Sequence, residues 1–178
     1  MNILKHNRGL AFCALVIVVI ASVLLGANLS VSRLEKDLMR VYTEDSDRYG
    51  SPKADLRRLA DYGEQLYSIA SAVTGEDAAF KNAVADLRRL AESDPLRQKE
   101  AADALYSAAS ISYNRIINTG DISDTQRQSA ISCFYEIDST RARLMNHRDY
   151  ADAAETYNRA ITSFPGILSA RKSVDTYK

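Results

Sequence analysis

Tryptophan is absent from this 178-residue chain, and only two cysteines, two histidines and three prolines occur. Cys13 and Cys133 are far apart and imply no disulfide framework. With His6 and His147 the only imidazoles, neither a zinc site nor a Cys–His nucleophile has the ligands or the base it needs, so no metal and no cofactor is expected. Twenty-three basic and twenty-three acidic residues cancel, which leaves no bulk field to recruit nucleic acid or anionic lipid. An alternating strand pattern is missing as well.

What the chain does have is a long apolar run. Gly9 to Ser32 carries no charge, and no glycine, proline or charge interrupts its centre, Leu10 to Leu25. About 20 apolar residues at 1.5 Å each cross the roughly 30 Å hydrocarbon layer of a bilayer. A helix there satisfies its own backbone. The expected organisation is a tail at 1–9, a transmembrane helix at 10–29 and a helical-bundle domain at 30–178. A cleaved signal peptide is the main rival, because Lys5, His6 and Arg8 make a basic leader. Its apolar core would be unusually long, however, and Leu25 stands where the cleavage site near Gly26-Ala27 wants a small residue. Lys5 and Arg8 favour a cytoplasmic N-terminus, whereas Arg33, Lys36 and Arg40 follow the span. The expectation is a single-pass protein of the cell membrane with its bundle outside the cytoplasm.

Beyond the span, apolar residues recur at three- and four-residue steps, which predicts an all-α fold: an antiparallel bundle of long helices with coiled-coil-like stripes. Val31, Leu34, Leu38 and Val41 continue the anchor. Leu56, Leu59, Gly63, Leu66, Ala70 and Val73 form the next stripe, then Phe80, Val84, Leu87 and Ala91. Ala102, Leu105, Ala109, Ser112 and Ile116 follow, and Tyr150, Ala154, Tyr157, Ile161 and Phe164 come last. The punctuation agrees: Gly50-Ser51-Pro52 reads as stop, cap and first-turn proline, Thr74 to Asp77 as a turn, and Asp94-Pro95 as a second cap with proline. Gly120 closes a helix, and Ser123 to Gln126 is a capping box opening one that runs to Ser163, on the order of 60 Å. Phe164-Pro165-Gly166-Ile167 suits a type II turn. Ala-Asp-Leu-Arg-Arg-Leu-Ala occurs at both 54–60 and 85–91, best read as helix-friendly composition with a solvated arginine face.

Several chemical-looking motifs fail on their partners. His147-Arg148-Asp149 resembles a kinase catalytic loop, but Ala154 stands at the required asparagine and the phosphate and metal loops are missing. Asp45, Asp47 and Gly50 match three EF-hand positions, yet Leu56 replaces the bidentate acid. A tetratricopeptide unit fits Ala153, Tyr157, Ala160 and Pro165, but Ile137, Thr140, Arg141 and Leu144 break its first helix.

The segment Arg148 to Ala170 resembles the C-terminal signature of the LemA family, in which the last long helix reads R-x-Y-N-x-A-V-x-x-Y-N-x-x-I-x-x-F-P and a Leu-x-Ala follows. Arg148, Tyr150, Tyr157, Asn158, Ile161, Phe164 and Pro165 fall in register, Leu168-Ser169-Ala170 follows, and Lys53 to Leu56 resembles the start of an earlier family helix. The resemblance implies a bacterial membrane protein with one N-terminal span and a bundle of long helices, with no established enzymatic activity. It marks Tyr150, Tyr157, Asn158, Phe164 and Pro165 as structural or interaction residues. On the helical stripe, Tyr157 and Phe164 are expected to pack in the core, and Asn158 to pair with a neighbouring helix or turn. The expected function is a membrane-tethered, non-enzymatic scaffold whose partners are the lipid bilayer and another protein. The alternative is a ligand-sensing bundle with a polar pocket near Gly63, Ala70, Ala109 and Ser112. An enzyme would need Tyr67, His147 and Asp149 to converge.

Overall fold

The computed structural model describes residues 2–45, 50–120 and 122–177, with the side chains of 2–8 and 10 left aside. Asp47 of the EF-hand comparison therefore lies outside the described residues. Among them are six α-helices, one 3-10 turn and no strand. The helices are α1 (Asn2–Thr43), α2 (Pro52–Thr74), α3 (Ala78–Ser93), α4 (Lys99–Asn118), α5 (Asp124–Met145) and α6 (Arg148–Thr162), with the 3-10 turn at Gly166–Ser169.

α1 takes in tail, span and first bundle stripe without a break. It is long and apolar enough to cross a membrane. Along the span Phe12, Leu15, Ile17, Val18 and Leu25 are exposed, and nothing else among the described residues covers them. Further on Val31, Leu38 and Tyr42 are buried, and the helix passes from an all-round apolar rod to an amphipathic one.

The helices fall into two packed groups. α2 lies mainly against α5 and also contacts α3 and α4, while α4 packs on both α3 and α5. The C-terminal part of α1 packs on α6 and the 3-10 turn and touches α2. Local chemistry accounts for the helix starts. Ser51 Oγ accepts from the amide of Ala54 ahead of Pro52, and Asp77 accepts from Ala79 and Phe80. Ser123 and Gln126 close a reciprocal capping box.

Four expectations change. The single helix from Ser123 to Ser163 is two, broken at Asn146–His147 with neither glycine nor proline at the break. α5 belongs to α2 and α6 to α1, and His147 turns inward to meet a buried carboxylate on α2, so tertiary contact overrides local propensity. Even with that turn, α6 packs on α1 and the 3-10 turn, unlike a tetratricopeptide pair. Pro95 does not open α4: Asp94 is the C-cap of α3, and Gln98 precedes Lys99. The residues after Phe164 form a 3-10 turn after a cis Phe164–Pro165 bond, and Gly166 lacks the positive φ a type II turn needs at that position. Finally, α1 stops at Thr43 and α4 at Asn118, short of Gly50 and Gly120.

Candidate functional site

Most of the residues marked by the signature segment collect where α1, α6 and a C-terminal strap, residues 170–177, meet. Tyr150 is buried with its ring 6.1 Å from that of Tyr42 on α1 and 5.7 Å from that of Tyr177 in the strap. Tyr157 is buried on the same face. Asn158 holds the strap from the other side: its Nδ2 donates to the carbonyl of Val174 at 2.9 Å and its Oδ1 accepts from the Val174 amide at 2.8 Å. One side chain thus satisfies both backbone groups of one residue, and the expected pairing of Asn158 is to this C-terminal segment. Phe164 is the correction. It is 77% exposed, because α6 ends at Thr162 and the chain turns away before the stripe's last position.

The strap reaches across to the α3–α4 connection. Arg97 donates from Nε to the carbonyl of Ser173 and from its terminal nitrogen to that of Lys172. The Asp175 amide donates to Leu96, and Asp175 Oδ2 accepts from the Lys99 amide at 2.6 Å. That carboxylate sits at the first turn of α4, where the amides lack helical partners. At the strap's beginning, Arg171 donates to Asn28 and Ser32 and pairs with Glu35, all on α1. The strap therefore ties the anchor helix to the far side of the bundle.

Burial pushes the phenols of Tyr42, Tyr150 and Tyr177 above their ordinary range. They are fixed packing elements that stay neutral at physiological pH. Such groups make stability pH-dependent. The folded chain keeps these protons to higher pH than the unfolded chain, so the contribution is complete below about pH 10 and is lost as pH rises further. Each phenol that keeps its proton in the folded chain after the unfolded chain has lost it adds about 1.4 kcal/mol per pH unit to the fall, so the slope steepens as pH rises above about 10. Urea denaturation between pH 8 and 11.5, followed by circular dichroism, is expected to show a flat midpoint that then falls steeply. The Tyr150 hydroxyl has no hydrogen-bond partner among the described residues. Tyr150→Phe is accordingly expected to leave stability unchanged or raise it by up to about 1 kcal/mol, because it removes an unsatisfied buried group. A clear loss in the same assay would contradict that reading.

A second polar cluster, centred on Asp55, was not legible in the sequence. Asp55 is fully buried in the first turn of α2. Its carboxylate lies 3.3 Å from Arg143 Nε, 3.5 Å from Arg58 and 3.2 Å from His147 Nε2. A carboxylate facing Nε2 makes that nitrogen the N–H donor. Arg143 also donates to Thr140. The cluster joins α2 to the end of α5 at the point where α5 breaks.

Tyr67 does not join His147 and Asp149. Tyr67 donates to Glu76 and meets the edge of Phe80. His147 and Asp149 instead line a separate 160 Å³ cleft with Val41, Glu44, Asp45 and Pro52. The pocket expected near Gly63 is filled, since a Cβ there would stand 3.0 Å from Leu105, and Ala70, Ala109 and Ser112 are buried by close helix approach. A larger cleft of about 330 Å³ lies elsewhere, between Tyr42, Leu56, Ala60, Leu87 and Ala91, rimmed by Lys53, Arg57, Arg88, Asp61 and Glu92. Among the described residues no group of three or more potential ligands is placed to hold a metal ion. No protein family, no curated protein and no solved structure matches this chain.

Proposed function

We propose that this protein is a membrane-anchored, non-enzymatic helical scaffold that presents its bundle to a protein partner. The observation that carries this reading is the continuity of α1. One unbroken helix supplies both the lipid-facing rod and a buried stripe of the bundle, and Arg171 and the strap brace it. A domain joined to its anchor by rigid helix, with no flexible linker, holds a fixed orientation to the membrane, as a platform for another protein requires. The resemblance of 148–170 to the LemA signature supports the same reading, since Tyr150, Tyr157 and Asn158 form the junction just described. The uncompensated Lys5 and Arg8 support a single-pass placement in the cell membrane with the bundle outside the cytoplasm.

The full chain, affinity-purified from crosslinked membranes, is expected to carry one protein in stoichiometric amount. Recovery of none across detergents would count against a scaffold. The second reading, ligand sensing through a partner, draws on the 330 Å³ cleft, where Lys53 and Arg57 have no ion pair among the described residues. A saturable rise in melting temperature with an anionic metabolite, abolished in Arg57→Ala, would favour it.

A further inference from the structure

Three large apolar side chains stand out of the domain at one place. Phe164, Ile167 and Leu168 are 77%, 59% and 51% exposed, although they flank a turn whose Gly166 is buried against α6. Their height along α1 is fixed twice. Tyr150, near the start of α6, contacts Tyr42, and α6 packs on α1. From Tyr150 to Thr162 the helix rises about 18 Å, which runs back along α1 to about residue 30. Independently, Arg171, just past the 3-10 turn, is bonded to Asn28 and Ser32. The turn itself packs on α1, where Ala27 and Val31 are buried while Leu24, Leu25 and Leu29 stay exposed. The apolar cluster therefore lies beside the last turns of the membrane span.

We propose that Phe164, Ile167 and Leu168 form a foot that inserts into the bilayer interface next to the point where α1 leaves it. The proposal rests on the membrane-span reading and adds a second contact to it. A single helix leaves a domain free to tilt and rotate about it. A second apolar contact to one side fixes which face meets the lipid. The polar surroundings match: Arg33, Lys36 and Lys172 are exposed at this end, and Arg33 and Lys36 have no ion pair among the described residues, so they are available to headgroup phosphates. Aromatic and aliphatic side chains above a basic rim suit the boundary between acyl chains and headgroups.

The absence of tryptophan makes the test clean, because each introduced indole is the sole one. The full chain is reconstituted in phosphatidylcholine vesicles, with or without brominated acyl chains, as Phe12→Trp, Phe164→Trp and Tyr135→Trp. Phe12 is 66% exposed within the span, and Tyr135 is 69% exposed on α5. The foot requires Phe164→Trp to emit at shorter wavelength than Tyr135→Trp and to be quenched by bromine nearly as strongly as Phe12→Trp, with Tyr135→Trp unquenched. Quenching of Phe12→Trp alone overturns the foot and leaves the span standing. If Phe12→Trp also escapes quenching, the span reading falls and the foot with it. A blue shift at position 164 that depends on protein concentration and not on bromine makes the patch a contact between two copies, which also overturns the proposal.

Discussion

Asp55→Ala is expected to lower the unfolding free energy by roughly 3 kcal/mol, whereas Asp86→Ala is expected to change it by less than about 0.5 kcal/mol. Both aspartates occupy the second position of the same heptapeptide, at 54–60 and 85–91. Their surroundings differ. Asp55 is fully buried and faces Arg58, Arg143 and His147, so its removal leaves basic groups at a buried junction without their acceptor. Asp86 forms one exposed pair with Arg89, three residues on in the same helix. The estimate for Asp55 sits at the low end of the range for a broken buried pair, because Arg143 is partly exposed and can turn to water. Urea denaturation of each full-length variant in detergent, read by circular dichroism, measures the difference. Equal effects at the two sites would show that the Asp55 cluster does not hold α2 to α5.

Tyr177→Ala is expected to cost about 3–5 kcal/mol, the range for emptying a buried aromatic site. Tyr177 is among the most buried large side chains, and it covers Tyr150, which in turn covers Tyr42 on α1. The strap's backbone hydrogen bonds to Arg97 and Lys99 then have no ring to secure them. The variant also loses one buried phenol, so its alkaline slope should be smaller by about 1.4 kcal/mol per pH unit. Lys172→Ala, in the same strap, removes only an exposed side chain and is expected to stay within about 0.5 kcal/mol of the parent. If Tyr177→Ala behaves like Lys172→Ala, the strap is an ornament on the bundle and the account of the junction is wrong.

The stripes that could be read from the sequence were those built from large apolar residues. Leu56, Leu59, Leu66, Ala102, Leu105, Ala109 and Ile116 are all buried as their spacing requires. The buried stripe of α5 escaped because it is made of Ala130, Cys133, Ile137, Thr140 and Leu144, whose small and polar members blur the period. The break at His147 was invisible for a related reason. No local breaker marks it, and what meets His147 at the bend is a hydrogen bond with Asp55, 92 residues away in sequence. Identical neighbours on the heptapeptides likewise gave no way to tell a buried aspartate from an exposed one. Of the signature residues, Tyr157 is buried as helical spacing requires, whereas Asn158 pairs with the extended C-terminal segment at Val174 and with neither a neighbouring helix nor the turn. Phe164 is not buried, since the helix ends before the stripe does and the exposed ring lies beside the span.

The most direct test of a bundle mounted on a membrane-spanning helix is alkaline carbonate extraction of membranes carrying the full chain. High pH strips peripheral proteins, whereas a helix that spans the bilayer holds its chain in the membrane. The account requires the intact chain, residues 1–30 included, to remain in the membrane pellet. Its release into the supernatant, or a mature chain lacking those residues, would contradict it.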